Sequence, residues 1–249
     1  MTLNQDICQM KLIVDQGNTL IKLALFDVSN QLIEMSSNKN WELVIEKWCN
    51  EFSIDQVIFS SVGENAKIIQ SYLENKFQKV LILTNATQIQ LPNRYQTPET
   101  LGVDRIANAA YAIYSKQFPA LIIDCGTCLK FDVVNEKGEY LGGSISPGLK
   151  MRCRAMHEFT AKLPLVQPIV DEVPTLIGVT TESSLLSGSY LGMLHEIEHT
   201  ISRYQELFKE INIFLTGGDA EYFVKALKKG IFADPFLTLK GLNEILNCS

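Results

Sequence analysis

The chain has 249 residues, 46% hydrophobic and 20% charged, with a net charge of −6 and a pI near 5.2. Its length supports a large core in one bilobal unit or two modest domains, and an acidic balance without a Lys/Arg run argues against nucleic acid or an anionic membrane as the main partner. No stretch of about 18 apolar residues is available to span a bilayer, and the opening MTLNQDICQMK has no basic start and no unbroken apolar segment, so no signal peptide is expected and the cytoplasm is the expected compartment.

Residues 12–15 (LIVD) and 20–26 predict two strands turning at Gly17-Asn18, a hairpin. Residues 56–60 (QVIFS) predict a strand, 66–77 a helix and 80–83 (VLIL) a strand. Val103, Ile106, Ala107, Ala110, Tyr111 and Tyr114 recur at helical spacing and predict a helix over 102–116. The pattern then restarts, with strands at 121–124 and 129–134, a turn at 135–138 and a strand at 140–146. Pro147 suits the start of a helix carrying Leu149 to His157. A long helix over 187–207, a strand over 211–216 and a helix over 220–229 complete the expected order. This is an α/β chain of two related lobes, 1–116 and 117–249, with the boundary near 115–119 and a cleft expected between them.

The relation between the lobes rests on two corners, LIVDQGNTLIK from Leu12 and LIIDCGTCLKFD from Leu121. A carboxylate at a strand end projects from the sheet edge, and the following Gly lets a phosphate approach the backbone. The amides and Thr hydroxyl after it can donate to phosphate oxygens. An Asp-x-Gly-Asn stretch is also an ordinary hairpin turn, but the repeat at the same place in two similar lobes favours a metal–triphosphate held by both corners.

Asp104 and Arg105 fall in the first turn of the predicted 102–116 helix, where the dipole favours a carboxylate in any case. Val103, Ile106 and Ala110 bury one face and so aim both side chains, giving a base beside an anion-binding fork. Glycines in LGGSISPGLKMR (141–152) and in TGGDA (216–220) sit at strand–helix junctions, and the second offers a flat surface for a nucleoside. A Walker A loop is absent, because Gly143-x4-Gly148 is followed by Leu-Lys.

Two patterns invite other chemistry. Cys125-Gly-Thr-Cys128 has the C-x-x-C form, yet a strand precedes it and no second pair exists, so reduced filler side chains are expected. His195-Glu-Ile-Glu-His199 matches H-E-x-x-H, but the apolar stripe of that helix, Tyr190, Leu194, Ile197, Ile201 and Tyr204, points the histidines towards solvent.

Together the motifs resemble the type III pantothenate kinases of the acetate/sugar kinase, heat-shock protein and actin superfamily. The resemblance runs through DQGNTLIK (15–22), YQTPETLGVDRIANA (95–109), DCGTCLKFD (124–132), GGSISPGLKMR (142–152), GVTTESSLLSG (178–188) and TGGDA (216–220). It implies two actin-like, ribonuclease H-like lobes, and a homodimer that phosphorylates pantothenate with ATP. By the same resemblance, Asp15, Gln16, Gly17, Asn18, Thr19, Leu20, Ile21 and Lys22 form the first phosphate loop, with Asp15 near Mg²⁺ through water. Thr127 is an ATP contact, and Gly217 and Gly218 take the nucleoside. Asp124 corresponds to a position that binds a monovalent cation, K⁺ or NH₄⁺. Asp104 is the implied proton acceptor, and Gly102, Val103, Asp104, Arg105, Tyr95 and Thr181 are implied substrate contacts, with Thr180 the alternative one residue from Thr181. Arg105 holds either the substrate carboxylate or the transferring phosphoryl group.

The chain departs from the family pattern at Lys130, where many members carry Thr, and at Cys128, where Ala is common. About ten residues precede the first strand. Other readings of the same residues are a non-catalytic nucleotide-binding regulator and a kinase for another small alcohol; retention of Asp15, Asp104, Arg105 and Asp124 speaks against the first.

Overall fold

The structure is a computed structural model that describes residues 9–64, 66–87, 89–227 and 230–249. The first compact unit takes the described residues of Met1–Leu91, with Gln96–Tyr114 and Thr238–Ser249, and the second takes Pro92–Tyr95 and Ser115–Leu237.

In the first unit, β1 (Gln9–Gln16), β2 (Ile21–Asp27) and β3 (Leu32–Ser37) form an antiparallel meander. Helix α1 (Trp41–Glu51) leads to β4 (Ser53–Ser61), which lies parallel to β1, and α2 (Ala66–Lys76) leads to β5 (Val80–Leu83), parallel to β4. The sheet order is therefore β3-β2-β1-β4-β5. Alternation along the strands sends Leu12, Val14, Leu23, Leu25, Val57 and Phe59 to one face, where Trp41, Ile45 and Trp48 of α1 and Ile69 and Leu73 of α2 close the core. A 3₁₀ turn at Pro98–Thr100 precedes α3 (Val103–Tyr114), which packs on β4.

The second unit repeats the plan. It holds β6 (Ala120–Cys125), β7 (Cys128–Val134), β8 (Tyr140–Pro147), α4 (Leu149–Glu158), α5 (Thr181–Leu207), β9 (Asn212–Thr216), α6 (Glu221–Val224) and β10 (Ile231–Ala233). Its sheet order, β10-β9-β6-β7-β8, is the first order over again, with two antiparallel and two parallel pairings in the same places. Leu121, Ile123, Leu129, Phe131, Ile213 and Leu215 meet Tyr190, Met193, Leu194 and Ile197 of α5 in its core.

Several elements differ from the sequence expectation. Helix α5 starts at Thr181, six residues earlier than expected, because Thr180 caps it: its hydroxyl accepts from Ser183 N and the Ser183 hydroxyl accepts from Thr180 N, a reciprocal capping box. The helix expected over 220–229 is a single turn, α6, with Lys228 and Lys229 outside the described residues.

The last helix, α7 (Leu237–Asn247), sits almost wholly with the first unit, although the sequence reading grouped it with the second lobe. It is held there by close backbone packing: a Cβ on Gly241 would stand 1.8 Å from the Ala107 carbonyl oxygen. Thr238 Oγ1 also donates to Asn108 Oδ1 at 2.8 Å, and Lys11 Nζ donates to Asn247 Oδ1 at 2.6 Å.

Candidate active site

The β1–β2 turn is a four-residue loop closed by Gly17 N donating to Leu20 O at 3.0 Å. Asp15 lies at the strand end and is largely buried, and Ser60 Oγ on the neighbouring β4 donates to its Oδ1 at 2.8 Å. Gln16 is fixed at both ends of its amide. Its Nε2 donates to Glu64 O at 2.6 Å and its Oε1 accepts from Ser61 Oγ at 2.9 Å. The residues Gln16 to Ile21 line a concavity of about 350 Å³ together with Lys39 and Glu64. Lys39 was not among the predicted binding residues. It follows β3, a strand the hydrophobic pattern does not reveal, so no motif marked it.

The second corner is tied to two glycine-bearing junctions. Gly126 N donates to Cys128 O at 3.1 Å, Gly148 N to Thr127 O at 3.2 Å and Asp219 N to Cys125 O at 2.8 Å. Gly217 has φ +96°, and a Cβ there would meet Asp124 Oδ1 and the Cys125 carbonyl at 2.5 Å, so only glycine fits. At Gly218 a Cβ would meet nothing within 4 Å, which leaves an open backbone surface. Thr127 is exposed. Asp219 is buried and pairs with Lys150 Nζ at 2.7 Å; that hydrogen bond raises the lysine pKa.

Asp124 already carries a cation. Lys130 Nζ lies 2.7 Å from its Oδ2, with the two side chains only 14% and 12% exposed. Beside it, burial, with Asp124 and Asp219 adding to it, pushes the Cys125 thiol up. A nucleophilic thiol needs the opposite shift.

The third motif opens α3. Gly102 O accepts from Arg105 N at 3.1 Å and Ile106 N at 3.2 Å, so the first helical turn closes on Gly102. Asp104 is half-buried, Arg105 is 4% exposed, and Arg105 N donates to Asp104 Oδ1 at 2.9 Å. A Cβ on Gly102 would stand 2.6 Å from that same oxygen. Val103 lines a concavity of about 670 Å³ with Ser61, Leu83, Thr84, Asn85, Ala86, Pro98 and Glu99. Gly102 to Arg105 are thus gathered at one helix start in the first unit.

Tyr95 and Thr181 belong to the second unit. Tyr95 packs over Gly142 and lies 6.1 Å from the Tyr140 ring centroid. Thr180 is used as the helix cap, while Thr181, the first helical residue, is exposed.

The two histidines of the H-E-x-x-H stretch, His195 and His199, are exposed on α5. Glu196 between them accepts from Ser146 Oγ at 2.6 Å and pairs with Arg152. Among the described residues no three His, Cys, Asp or Glu side chains group to hold a metal ion, and no helix is long and apolar enough to cross a membrane.

Two five-stranded sheets of matching order, each with an Asp-x-Gly turn after its first strand, define an α/β protein of the actin-like class. Two solved structures of low identity share this fold. One is a protein described as a conserved Baf family transcriptional activator from Campylobacter jejuni, with TM-score 0.58 and 19% identity, covering 95% of this chain and 97% of that one. The other is the activator of the 2-hydroxyisocaproyl-CoA dehydratase from Clostridium difficile with bound ADPNP, with TM-score 0.52 and 12% identity, covering 96% and 94%. The model of the type III pantothenate kinase family matches residues 11–203. Type III pantothenate kinases from Bacteroides fragilis and Christiangramia forsetii are 41% identical over 242 residues and 42% identical over 246 residues. These alignments cover 96% and 95% of this chain and 98% of each relative. The chain belongs to the type III pantothenate kinase family.

Proposed function

We propose that the chain transfers the γ-phosphoryl group of ATP to the primary hydroxyl of pantothenate, giving 4′-phosphopantothenate in the first step of coenzyme A biosynthesis. The observation that carries this reading is the α3 start, where a half-buried carboxylate stands beside a buried guanidinium in a chain with this family membership. Asp104 accepts the hydroxyl proton as the alcohol attacks. Arg105, Gly102 and Val103 hold the substrate, with Tyr95 and Thr181 as further contacts; Thr181 is preferred over Thr180 because Thr180 already serves as the helix cap.

Asp15 to Lys22 receive the triphosphate. The Gly17–Leu20 hydrogen bond shapes the loop, and Lys22 and Lys39 add positive charge. Thr127, Gly217 and Gly218 contact the nucleotide from the second corner. The Asp15 carboxylate, oriented by Ser60, is a hard oxygen donor of the kind Mg²⁺ prefers, directly or through water. When bound, Mg²⁺ neutralises charge on the phosphoryl oxygens. The monovalent cation expected at Asp124 does not fit the residues present, since Lys130 Nζ sits on that carboxylate.

We place the reaction in the cytoplasm and the working form in a homodimer. Exposed Ile169, Val173, Leu176, Ile177 and Val179, clustered before α5, support self-association.

The test is product formation from ATP and pantothenate with Mg²⁺. Formation of 4′-phosphopantothenate is expected; ATP binding without product would overturn the substrate assignment. Gly102→Ala should lower turnover by roughly 10²-fold by displacing the Asp104 carboxylate. Its thermal midpoint should stay unchanged, because the new Cβ meets only the tip of a side chain. Unchanged turnover in that variant would refute the positioning role of Gly102.

A further inference from the structure

Strands β6 and β7 set Asp124 directly opposite Lys130 in antiparallel register, so the two side chains leave the same face of the hairpin. The lysine ammonium closes on Oδ2 at 2.7 Å, and little of either side chain reaches solvent. The other carboxylate oxygen is walled by glycine backbone: a Cβ on Gly126 would lie 3.2 Å from Oδ1 and one on Gly217 2.5 Å. A metal cation at this carboxylate would have to gather several oxygens while standing next to a fixed positive charge in a site poor in water. The repulsion between like charges is strongest in such a place. The –NH₃⁺ head of lysine is a compact, strongly hydrated point charge with three donors, in chemical terms an ammonium ion on a tether. The first hairpin has the same register, with Asp15 opposite Lys22, but there Ser60 Oγ donates to the carboxylate at 2.8 Å.

We infer that Lys130 is a built-in monovalent cation at the second corner, and that phosphoryl transfer by this chain needs no added K⁺ or NH₄⁺. This rests on the kinase reading above. Lys130 acts through Asp124, as a positioning residue: it neutralises the carboxylate and fixes its orientation beside the Gly126–Thr127 turn.

The experiment compares wild type and Lys130→Thr in potassium chloride and in N-methylglucamine chloride of equal ionic strength. Pantothenate phosphorylation and the thermal midpoint are read for each. Wild-type rates are expected to agree within about a factor of two between the salts, whereas Lys130→Thr should be slow in the organic salt and recover by about tenfold or more in potassium, because a carboxylate left with no buried partner recruits a cation. The midpoint of Lys130→Thr alone should rise in potassium. A wild type stimulated by potassium overturns the inference, and so does a Lys130→Thr variant that is equally active without it. If wild type makes no phosphopantothenate in either salt, the function proposed above fails, and the midpoints still decide: a potassium response confined to Lys130→Thr supports the tethered cation, and one in wild type, or in neither protein, refutes it.

Discussion

Asp104→Asn is expected to lower the rate of phosphoryl transfer to pantothenate by about 10²–10⁴-fold, the usual worth of a positioned proton acceptor. The substitution is close to isosteric. An asparagine oxygen can still accept from Arg105 N, as Asp104 Oδ1 does at 2.9 Å, so the first turn of α3 should keep its geometry. What disappears is the basic lone pair and the charge that draws the hydroxyl proton. The effect should therefore fall on the chemical step, with ATP affinity and thermal midpoint little changed. Single-turnover rates, calorimetric ATP binding and thermal unfolding on the same preparation separate these quantities. Turnover equal to wild type would remove Asp104 from the mechanism.

Gly241→Ala is expected to destabilise the protein by about 2–3 kcal/mol, within the usual range for overpacking a close contact. For a chain of this size that corresponds to a fall in thermal midpoint of roughly 4–12 °C. Helix propensity alone predicts the opposite, since alanine is favoured over glycine inside a helix by about 1 kcal/mol. The steric demand decides the sign. A Cβ at this position would lie 1.8 Å from the Ala107 oxygen and 2.7 Å from its carbon, and a Cβ has no rotamer by which to escape. Helix α7 would have to lift off α3, straining the Thr238–Asn108 hydrogen bond nearby. Denaturant unfolding of the two proteins measures the difference, and a more stable Gly241→Ala would mean that the helices do not meet here.

Much of this architecture was legible because it is written locally. The hairpins at 12–26 and 121–134 join strong strand patterns to glycine-bearing turns, and α3 carries an apolar stripe with an acid in its first turn. Strand β3 was not legible: it is an edge strand whose Ile33 and Met35 stay exposed, so its hydrophobic alternation points away from the core. Helix α1 did offer Trp41, Ile45 and Trp48 at helical spacing after Asn40, a residue type favoured at helix starts, but the sequence reading named no helix there, and in the structure Asn40 makes no side-chain cap bond. Helix α7 hides behind its own interior glycine, a residue poor in propensity and required by a partner helix more than a hundred residues away.

At the candidate site, the types and spacing of Asp15, Asp104 and Asp124 were readable. The Lys130–Asp124 ion pair was not, because it depends on which residue faces which across a three-residue turn. Once that register is counted, the departure at Lys130 acquires a physical meaning.

The return of α7 to the first unit has a consequence for how the molecule is made. Ribosomal synthesis delivers α3 early and α7 only after the whole second unit has emerged, so the α3 face that Gly241 meets stays bare in the interval. The second unit is nearly continuous in sequence, apart from Pro92–Tyr95, and is free to close first. The first can finish only by a late, long-range encounter, the kind of step that slows folding and leaves apolar surface open to self-association. A fragment cut at the boundary between the lobes would inherit that open face permanently, whereas one that splices residues 238–249 back onto the first unit would not.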